Sequence, residues 1–319
     1  MNLSGEEIGL INSKRIILAI PLRLKTKIIG AFILGNKKSG RPYSTEDIDL
    51  LATISSQVTL ALENLKLQLE EIEKQKILEE LEIAEDIQKS LLPTNNLIIN
   101  NIEISGVSIP AKSVGGDFFD YIKLPDNRLL VVVADVSGKG IPAALYMAKF
   151  QAVVQFASNI IKNPGDILSE LNSQIYSQLD RSYFITMCIA IINFEKNIVT
   201  IYRAGHPPAI VLSDKGTGII KTKGIGLGLE QDDIFQSNLE PSEFILKKNN
   251  IILLYSDGLT EAFDNKLDSY GVERTIEILN KEKINDAKTI LHNLITDVNR
   301  FRNGAEQNDD ITCVVIKIN

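Results

Sequence analysis

The chain has 319 residues, of which 44% are hydrophobic and 24% charged, and its formal net charge is −7 at pH 7. This composition is typical of a globular protein with a large core, and the length allows two domains or one domain with an appendage. The negative charge argues against a nucleic-acid partner, because phosphate binding requires a basic surface. No apolar run approaches the roughly 20 residues of a membrane span, so we expect a cytoplasmic chain without a membrane partner.

The first predicted elements are a pair of strands followed by one long helix. Two apolar runs within residues 15–36 flank a lysine-rich turn, which favours two strands. Ser44 is followed by Thr-Glu-Asp, which indicates a capped helix start with acids in the first turn. Because residues 51–90 contain no Gly or Pro, the helix is predicted to continue until Pro93 ends it.

The long helix carries a heptad-like apolar stripe with one slip in phase. Its members are Leu62, Leu65, Leu69 and Ile72, then, after a step of five residues, Ile77, Leu81, Ala84 and Leu91. A helix of this length needs a partner for such a stripe, so we expect a parallel coiled coil that joins two copies of the chain. The slip then marks a change in packing. The alternative is an amphipathic helix lying on its own domain.

Beyond residue 98, short β-rich runs are interrupted by helical segments. The strand candidates are IEISGVSI, FFDYIKL, RLLVVVAD, FITMCIAIINF, IVTIYRAG, AIVLS, NIILLYSD and DITCVVIKI, and the helix candidates span 142–161, 164–179, 272–279 and 286–301. Since strands follow strands and helices cluster, a mostly antiparallel α+β fold is favoured over a doubly wound parallel sheet. Cys188 and Cys313 lie singly in two of these runs, which predicts buried thiols of a reducing compartment.

Acidic residues stand at the ends of the apolar strands. Asp117 follows two glycines, Asp135 and Asp257 follow apolar runs, and Asp309-Asp310 opens the last strand. A turn aspartate explains any one of these sites, but four in one domain weaken that explanation. Because an unpaired buried carboxylate is costly, we expect the acids to share a cation.

Oxygen ligands suit Mg²⁺ or Mn²⁺, whereas zinc is disfavoured because neither of the two histidines has a companion at ligand spacing. Clustered aspartates without histidine predict a two-metal site that activates a bridging water and clamps a phosphoryl oxygen. The residue spacings exclude two other kinds of phosphate-binding site, that of a cysteine phosphatase and that of a P-loop. Phe194 stands where a cysteine phosphatase needs arginine after Cys188, and SGKG (137–140) lacks the upstream glycine and the hydroxyl of a P-loop. GIGLGL (224–229) lacks the third glycine of a dinucleotide fingerprint and indicates a flexible loop, with a substrate flap as the alternative.

Five stretches, in order, resemble the PPM family of metal-dependent serine/threonine phosphatases in its bacterial SpoIIE/RsbU-like branch. They are SVGGDFFDY, VVADVSGKGIPAALYMA, YRAGHPP, LLYSDGLTEA and QNDDITCVV, preceded by EIAEDIQKSLLP, which is similar to the segment that enters such domains. The first stretch is also close to the Gly-Gly-Asp-Glu-Phe signature of diguanylate cyclases, but Phe118-Phe119 replace Glu-Phe. The resemblance covers residue 82 to the C-terminus. It implies a central antiparallel β-sandwich flanked by helices, with two Mn²⁺ or Mg²⁺ ions at one end.

The resemblance also implies roles for single residues. The expected metal ligands are Asp117, Asp135, Asp257 and Asp309, with the backbone carbonyl of Val136. Asp310 and Asp120 are expected to support them, and His206 to be structural. Val136-Ser137 replace the Gly-His of eukaryotic relatives, which leaves the general acid unassigned between metal-bound water and Lys139. Lys112 stands five residues before Asp117, where eukaryotic relatives have an arginine that holds phosphate. A lysine there offers a point charge without the planar guanidinium fork of arginine, or it is simply a solvated loop lysine.

Residues 20–65 resemble the C-terminal third of a GAF sensory domain, either as part of a fragment or as a remnant that dimerises. The sequence thus predicts a partial GAF-like segment over 1–62, a coiled-coil linker over 63–93 and a PPM phosphatase domain over 94–319. The resemblance implies a protein-serine/threonine phosphatase that acts on a phosphorylated anti-sigma-factor antagonist of the STAS fold. We expect a homodimer whose stalk packs in two registers and so gates the metal site. The rivals are a catalytically silent phosphoprotein-binding module and a nucleotide-phosphate hydrolase.

Overall fold

A computed structural model describes residues 15–161, 163–178 and 183–319. The chain forms two compact units, of which the first ends at Glu80 and the second runs from Leu81 to Asn319. No helix in the described ranges is long and apolar enough to cross a membrane. The first 14 residues of the predicted GAF-like segment lie outside these ranges, and the three-segment division remains a prediction.

The N-terminal unit contains the predicted hairpin and most of the predicted helix. Strands β1 (Leu18–Leu24) and β2 (Lys27–Leu34) pair antiparallel, and helix α1 runs over Thr45–Leu91. The helix begins at a capping box, in which the Ser44 amide donates to Asp47 Oδ2 at 2.7 Å and Ser44 Oγ accepts from the Asp47 amide at 3.3 Å. The hairpin and the helix are confirmed, whereas the GAF-like character of this unit remains a prediction.

The apolar stripe of α1 is exposed on both sides of the predicted slip and is half-buried closer to the helix end. At the slip, 50% of Ile72 and 53% of Ile77 are open to solvent. Leu81 and Ala84, in the second unit, are half-buried, and Leu92, just past the helix end, packs against the core of that unit.

Two antiparallel sheets form the centre of the second unit. One has six strands in the order β10-β9-β12-β13-β4-β3, and the other has five in the order β11-β8-β7-β6-β5. The strands are β3 (Leu97–Ile99), β4 (Ile102–Ile109), β5 (Asp117–Leu124), β6 (Arg128–Val136), β7 (Ile185–Asn193), β8 (Ile198–Ala204), β9 (Ala209–Ser213), β10 (Gly216–Ile220), β11 (Ser242–Ile245), β12 (Ile251–Tyr255) and β13 (Ile311–Ile318).

Helices cover the outer faces of both sheets. They are α2 (Ile141–Ile160), α3 (Pro164–Gln178), α4 (Asp232–Ser237), α5 (Asp257–Thr260), α6 (Gly271–Glu282) and α7 (Ala287–Arg302). The apolar run of β6 is split between two cores because successive side chains point to opposite faces of a strand. Leu129, Val131 and Val133 pack between the sheets, whereas Leu130, Val132 and Ala134 pack under the α2–α3 layer.

This arrangement confirms the predicted antiparallel β-sandwich flanked by helices. The eight predicted strands and four predicted helices of this unit are present, with ends that differ by a few residues. Leu179, the predicted last residue of α3, lies outside the described ranges. The sequence did not predict β3, β10, β11, α4 and α5, which are all short.

Candidate active site

The centre of the site is a pair of opposed aspartates. Asp117 is the first residue of β5 and Asp135 the next to last of β6, and the two are direct partners in the antiparallel ladder. Only 4% of Asp117 is exposed, and its Oδ2 atom is buried without a hydrogen-bond partner. Like charges directly opposite each other destabilise a sheet. The pair therefore requires protons or a cation.

The electrostatics of the two carboxyls follow from this placement. Burial, with the charges of Asp135 and Asp310, raises the pKa of Asp117 well above its usual range. Burial, with the charges of Asp257 and Asp309, raises the pKa of Asp135 to about 7. The pKa of each carboxyl is thus raised first by burial and then by the charges of its acidic neighbours.

Two further acids reach this end of the sandwich from distant parts of the chain. Asp257 is the first residue of α5, separated from the end of β12 by one residue, and burial and the charge of Asp309 raise its pKa. Asp309 precedes β13, and its Oδ2 lies 2.8 Å from Lys139 Nζ. The hydrogen bond to Asp309 raises the pKa of Lys139. A lysine from the SGKG loop thus provides positive charge beside one predicted ligand.

Asp310 holds the loop that leads into Asp117. Its Oδ1 accepts from the Ala111 amide at 2.7 Å, and its Oδ2 accepts from the Gly116 amide at 2.8 Å. A Cβ at Gly115 would lie 2.2 Å from Asp310 Oδ2, and one at Gly116 would lie 2.6 Å from the Val136 carbonyl oxygen. The two glycines are therefore required by close approach, and Asp310 fixes the backbone of the loop at Ala111 and Gly116.

The remaining predicted residues lie around this centre. Asp120 is buried and accepts from Gln155 at 2.7 Å, so its carboxylate is held by amide donors. Lys112 is exposed on the loop before Ser113, and its side chain passes beside Gly140. His206 is buried with Nδ1 2.7 Å from Thr186 Oγ1, and burial lowers its pKa to about 3. The imidazole is therefore neutral and lies inside the fold.

The residues fit a hard divalent cation in chemistry, although their side chains are not arranged as a finished site. Within residues 15–161, 163–178 and 183–319, no three His, Cys, Asp or Glu side chains are grouped closely enough to hold a metal ion. The fit rests on the buried, unpartnered Oδ2 of Asp117 and on the mutually raised carboxyl pKa values. Oxygen donors of this kind favour Mg²⁺ or Mn²⁺.

Three residues of the site were not predicted from the sequence. Ser256 Oγ donates to the Asp310 carbonyl at 3.2 Å and accepts from the Thr312 amide at 2.9 Å. The hydroxyl groups of Ser256 and Thr312 lower the pKa of Asp117, but burial raises this pKa by more. Gln88 of α1 contacts the backbone of Gly115. In the sequence, Ser256 stood out only as the neighbour of Asp257, and Gln88 only as a member of the stretch EIAEDIQKSLLP.

Comparisons with known proteins identify the family of the chain. Residues 125–319 match the family model described as Stage II sporulation protein E (SpoIIE). Phosphoserine phosphatase RsbU of Bacillus subtilis (strain 168) is 30% identical over 248 residues, which cover 76% of this chain and 71% of RsbU.

Two solved structures share the fold. The SiaA-PP2C domain of Pseudomonas aeruginosa has a TM-score of 0.66 at 20% identity, over 77% of this chain and 98% of that domain. RsbX in complex with magnesium has a TM-score of 0.52 at 18% identity, over 70% of this chain and 99% of RsbX. At these identities the two structures support the fold alone, and the fold is that of a PP2C phosphatase.

Proposed function

The chain belongs to the SpoIIE family and is a metal-dependent protein phosphatase, and on that basis we propose that it hydrolyses phosphoserine or phosphothreonine at the aspartate site. One observation carries the assignment to this site. Asp117 and Asp135 are opposed in register, and a buried Asp117 oxygen has no partner. Two buried carboxylates this close destabilise the folded state by roughly several kcal/mol unless a cation offsets their charge.

The metal ligands in this proposal are Asp117, Asp135, Asp257 and Asp309, with the carbonyl of Val136. Two Mn²⁺ or Mg²⁺ ions, when bound, supply the positive charge that activates water and offsets the charge of the phosphoryl group. Their fit is supported by the oxygen-only donor set and by the magnesium complex of RsbX, a protein of the same fold.

We propose that two lysines bind the phosphoryl group. Lys139 lies 2.8 Å from Asp309, and the side chain of Lys112 passes beside Gly140 in the same loop. In this proposal, Lys112 holds the phosphate, and Lys139 leaves Asp309 to offer charge, or a proton, to the departing oxygen. Neither lysine has the planar fork of arginine, so each binds as a point charge.

The test is phosphate release from a phosphoserine peptide by the full chain. Release is expected with Mn²⁺ or Mg²⁺ and is expected to stop with EDTA. Asp257→Asn is expected to lower kcat at least about 100-fold, while Asp233→Asn, the same change at an exposed acid, leaves it unchanged. Binding of phosphopeptide without release would indicate the silent module, and faster turnover of nucleotides than of phosphopeptides would indicate the nucleotide hydrolase.

The substrate we propose is a small phosphorylated protein of the STAS fold that antagonises an anti-sigma factor, in the cytoplasm. Support comes from the motif resemblance and from the similarity to RsbU. A purified phosphorylated STAS domain is expected to be hydrolysed with kcat/KM at least about 10-fold above that of a peptide carrying the same phosphoserine, because docking adds binding energy. Equal values for the two substrates would contradict a STAS target.

We also propose that the exposed stripe of α1 joins two copies of the chain as a parallel coiled coil. Leu62, Leu65, Leu69, Ile72 and Ile77 are between 45% and 66% exposed, and burying them in a partner helix offsets the cost of exposing apolar side chains. Leu69→Lys is expected to give a monomer in sedimentation equilibrium. Leu67→Lys, the same change at a leucine that is 56% exposed and off the stripe, serves as the control.

The register of this coiled coil is proposed to govern activity through the phase slip between Ile72 and Ile77. Deleting one residue there shifts the upstream stripe relative to the last turns of the helix. A change in Mn²⁺-dependent turnover of the dimeric deletion variant is expected. Unchanged turnover by a variant that still dimerises would contradict gating through the stalk.

A further inference from the structure

The last turns of α1 are bonded directly to the loop that leads into Asp117. Gln88 Nε2 donates to the Gly115 carbonyl at 2.7 Å, and the Gly115 amide donates to Gln88 Oε1 at 3.0 Å. One side-chain amide thus satisfies both backbone groups of a single buried glycine. A small cleft beside this contact is lined by Glu85, Gln88, Gly115 and Asp117. The helix therefore adjoins the predicted ligand itself.

The loop on the other side of Gly115 has little freedom to move. Asp310 Oδ2 accepts a hydrogen bond from the Gly116 amide at 2.8 Å, and the Gly116 carbonyl accepts one from the Val136 amide at 3.3 Å. Because there is no space at Gly115 or Gly116 for even a Cβ, displacement of Gly115 must be passed on to its neighbours. Those neighbours include both the Asp117 backbone and the Val136 peptide.

A second contact ties the helix end to the far side of the same strand. Gln151 of α2 is buried, and its Nε2 donates to the Leu91 carbonyl at 2.7 Å and lies 3.3 Å from Asp120 Oδ2. Asp120 stands three residues after Asp117 on β5. The short segment 115–120 is therefore held to the end of α1 at both ends.

From this geometry we propose that Gln88 is a positioning residue, which sets Asp117 and the Val136 carbonyl for metal binding through Gly115 and Gly116. The inference rests on the proposed metal site. It extends the proposal by identifying the contact through which the helix acts on the ligands. A purely structural role for Gln88 would lower the stability of the fold and leave metal affinity unchanged.

The test compares Gln88→Met with Gln57→Met in the full chain. Methionine nearly preserves the volume and helix preference of glutamine but removes both hydrogen bonds of Gln88. Gln57 is exposed on the same helix, outside the phase slip, and provides the control. Mn²⁺ affinity is measured from the electron paramagnetic resonance signal of free Mn²⁺, with no substrate present. Q88M is expected to bind Mn²⁺ about 10- to 100-fold more weakly, the range seen when residues that orient metal ligands are changed.

Two further measurements separate positioning from general destabilisation. Amide hydrogen exchange of the metal-free protein is expected to accelerate in residues 111–117 of Q88M, while the control matches the wild type. Gln88→Glu adds a negative charge, which by itself would tighten Mn²⁺ binding. Weaker Mn²⁺ binding by Q88E therefore supports the positioning role. This variant also replaces Q88M in the test if Q88M does not fold.

The outcomes distinguish this inference from the proposed function. If the wild type binds Mn²⁺ and Q88M binds it within about twofold as tightly, the positioning role is overturned and the metal site stands. If the wild type shows no Mn²⁺ binding, the proposed metal site fails and the inference fails with it. Weakened binding by Q88M with unchanged binding by Gln57→Met supports both.

Discussion

Asp135→Asn is expected to stabilise the metal-free protein while abolishing its activity. Asp135 is opposed to Asp117, and burial and neighbouring carboxylates raise its pKa from 3.8 to about 7. The folded state thus resists the charged form of this group. Asparagine has nearly the same shape without the charge, so it removes this penalty together with a predicted metal ligand.

The size of the effect follows from the pKa shift. Near pH 7.5, the shift of Asp135 disfavours folding by about 4 kcal/mol, since each pKa unit corresponds to about 1.4 kcal/mol. The asparagine amide still needs hydrogen-bond partners, which costs about 1–2 kcal/mol, so the expected net gain is about 2–3 kcal/mol. Because the folded state binds more protons than the unfolded state, the penalty grows as pH rises from about 4 to about 7. Near pH 5 it has fallen to about 2 kcal/mol.

The assay is urea unfolding of the full chain, in EDTA and in Mn²⁺ at about 1,000 times its dissociation constant. Wild type is expected to gain about 4 kcal/mol from the metal and D135N little or nothing, so the order of stability reverses between the two conditions. Asp233→Asn is the control at an exposed acid. The reasoning is refuted if metal-free D135N is less stable than wild type near pH 7.5, or if its advantage does not shrink toward pH 5.

Three further predictions concern the surroundings of the site. His206 is buried and neutral with a pKa of about 3, so stability falls as pH drops below about 6.5. At pH 5 the lowered pKa of His206 reduces the free energy of unfolding by about 2 kcal/mol relative to pH 8. His206→Gln is expected to remove this reduction, as measured by urea unfolding at the two pH values. Gly258→Ala places a Cβ 2.1 Å from the Asp310 carbonyl oxygen, so it is expected to lower the free energy of unfolding by about 1–3 kcal/mol and to slow hydrolysis. The control is Gly218→Ala, where the nearest atom to the new Cβ is 4.0 Å away, and neither unfolding nor turnover is expected to change. Lys112→Ala is expected to raise KM for a phosphopeptide about 10-fold without altering the melting temperature, because the side chain is exposed, and an unchanged KM would identify a solvated loop lysine.

Elements with a strong local pattern were predictable from the sequence. The apolar run Leu129–Ala134 indicated a strand, and the side chains of this strand alternate between two cores. Short elements were missed because their local signal is weak. β10 reads GTGII, with two glycines, and forms a strand only because β9 supplies the ladder.

The sequence by itself determined which residues could do the chemistry, since acids placed behind apolar runs in five ordered motifs identify the family without coordinates. Only the tertiary structure decided how those acids meet. The register of β5 against β6 opposes Asp117 to Asp135, and packing brings Asp310 to Gly116 and Gln88 to Gly115. The physical reason is that a periodic pattern reports burial along one element, whereas register and long-range hydrogen bonds arise when separate elements pack together.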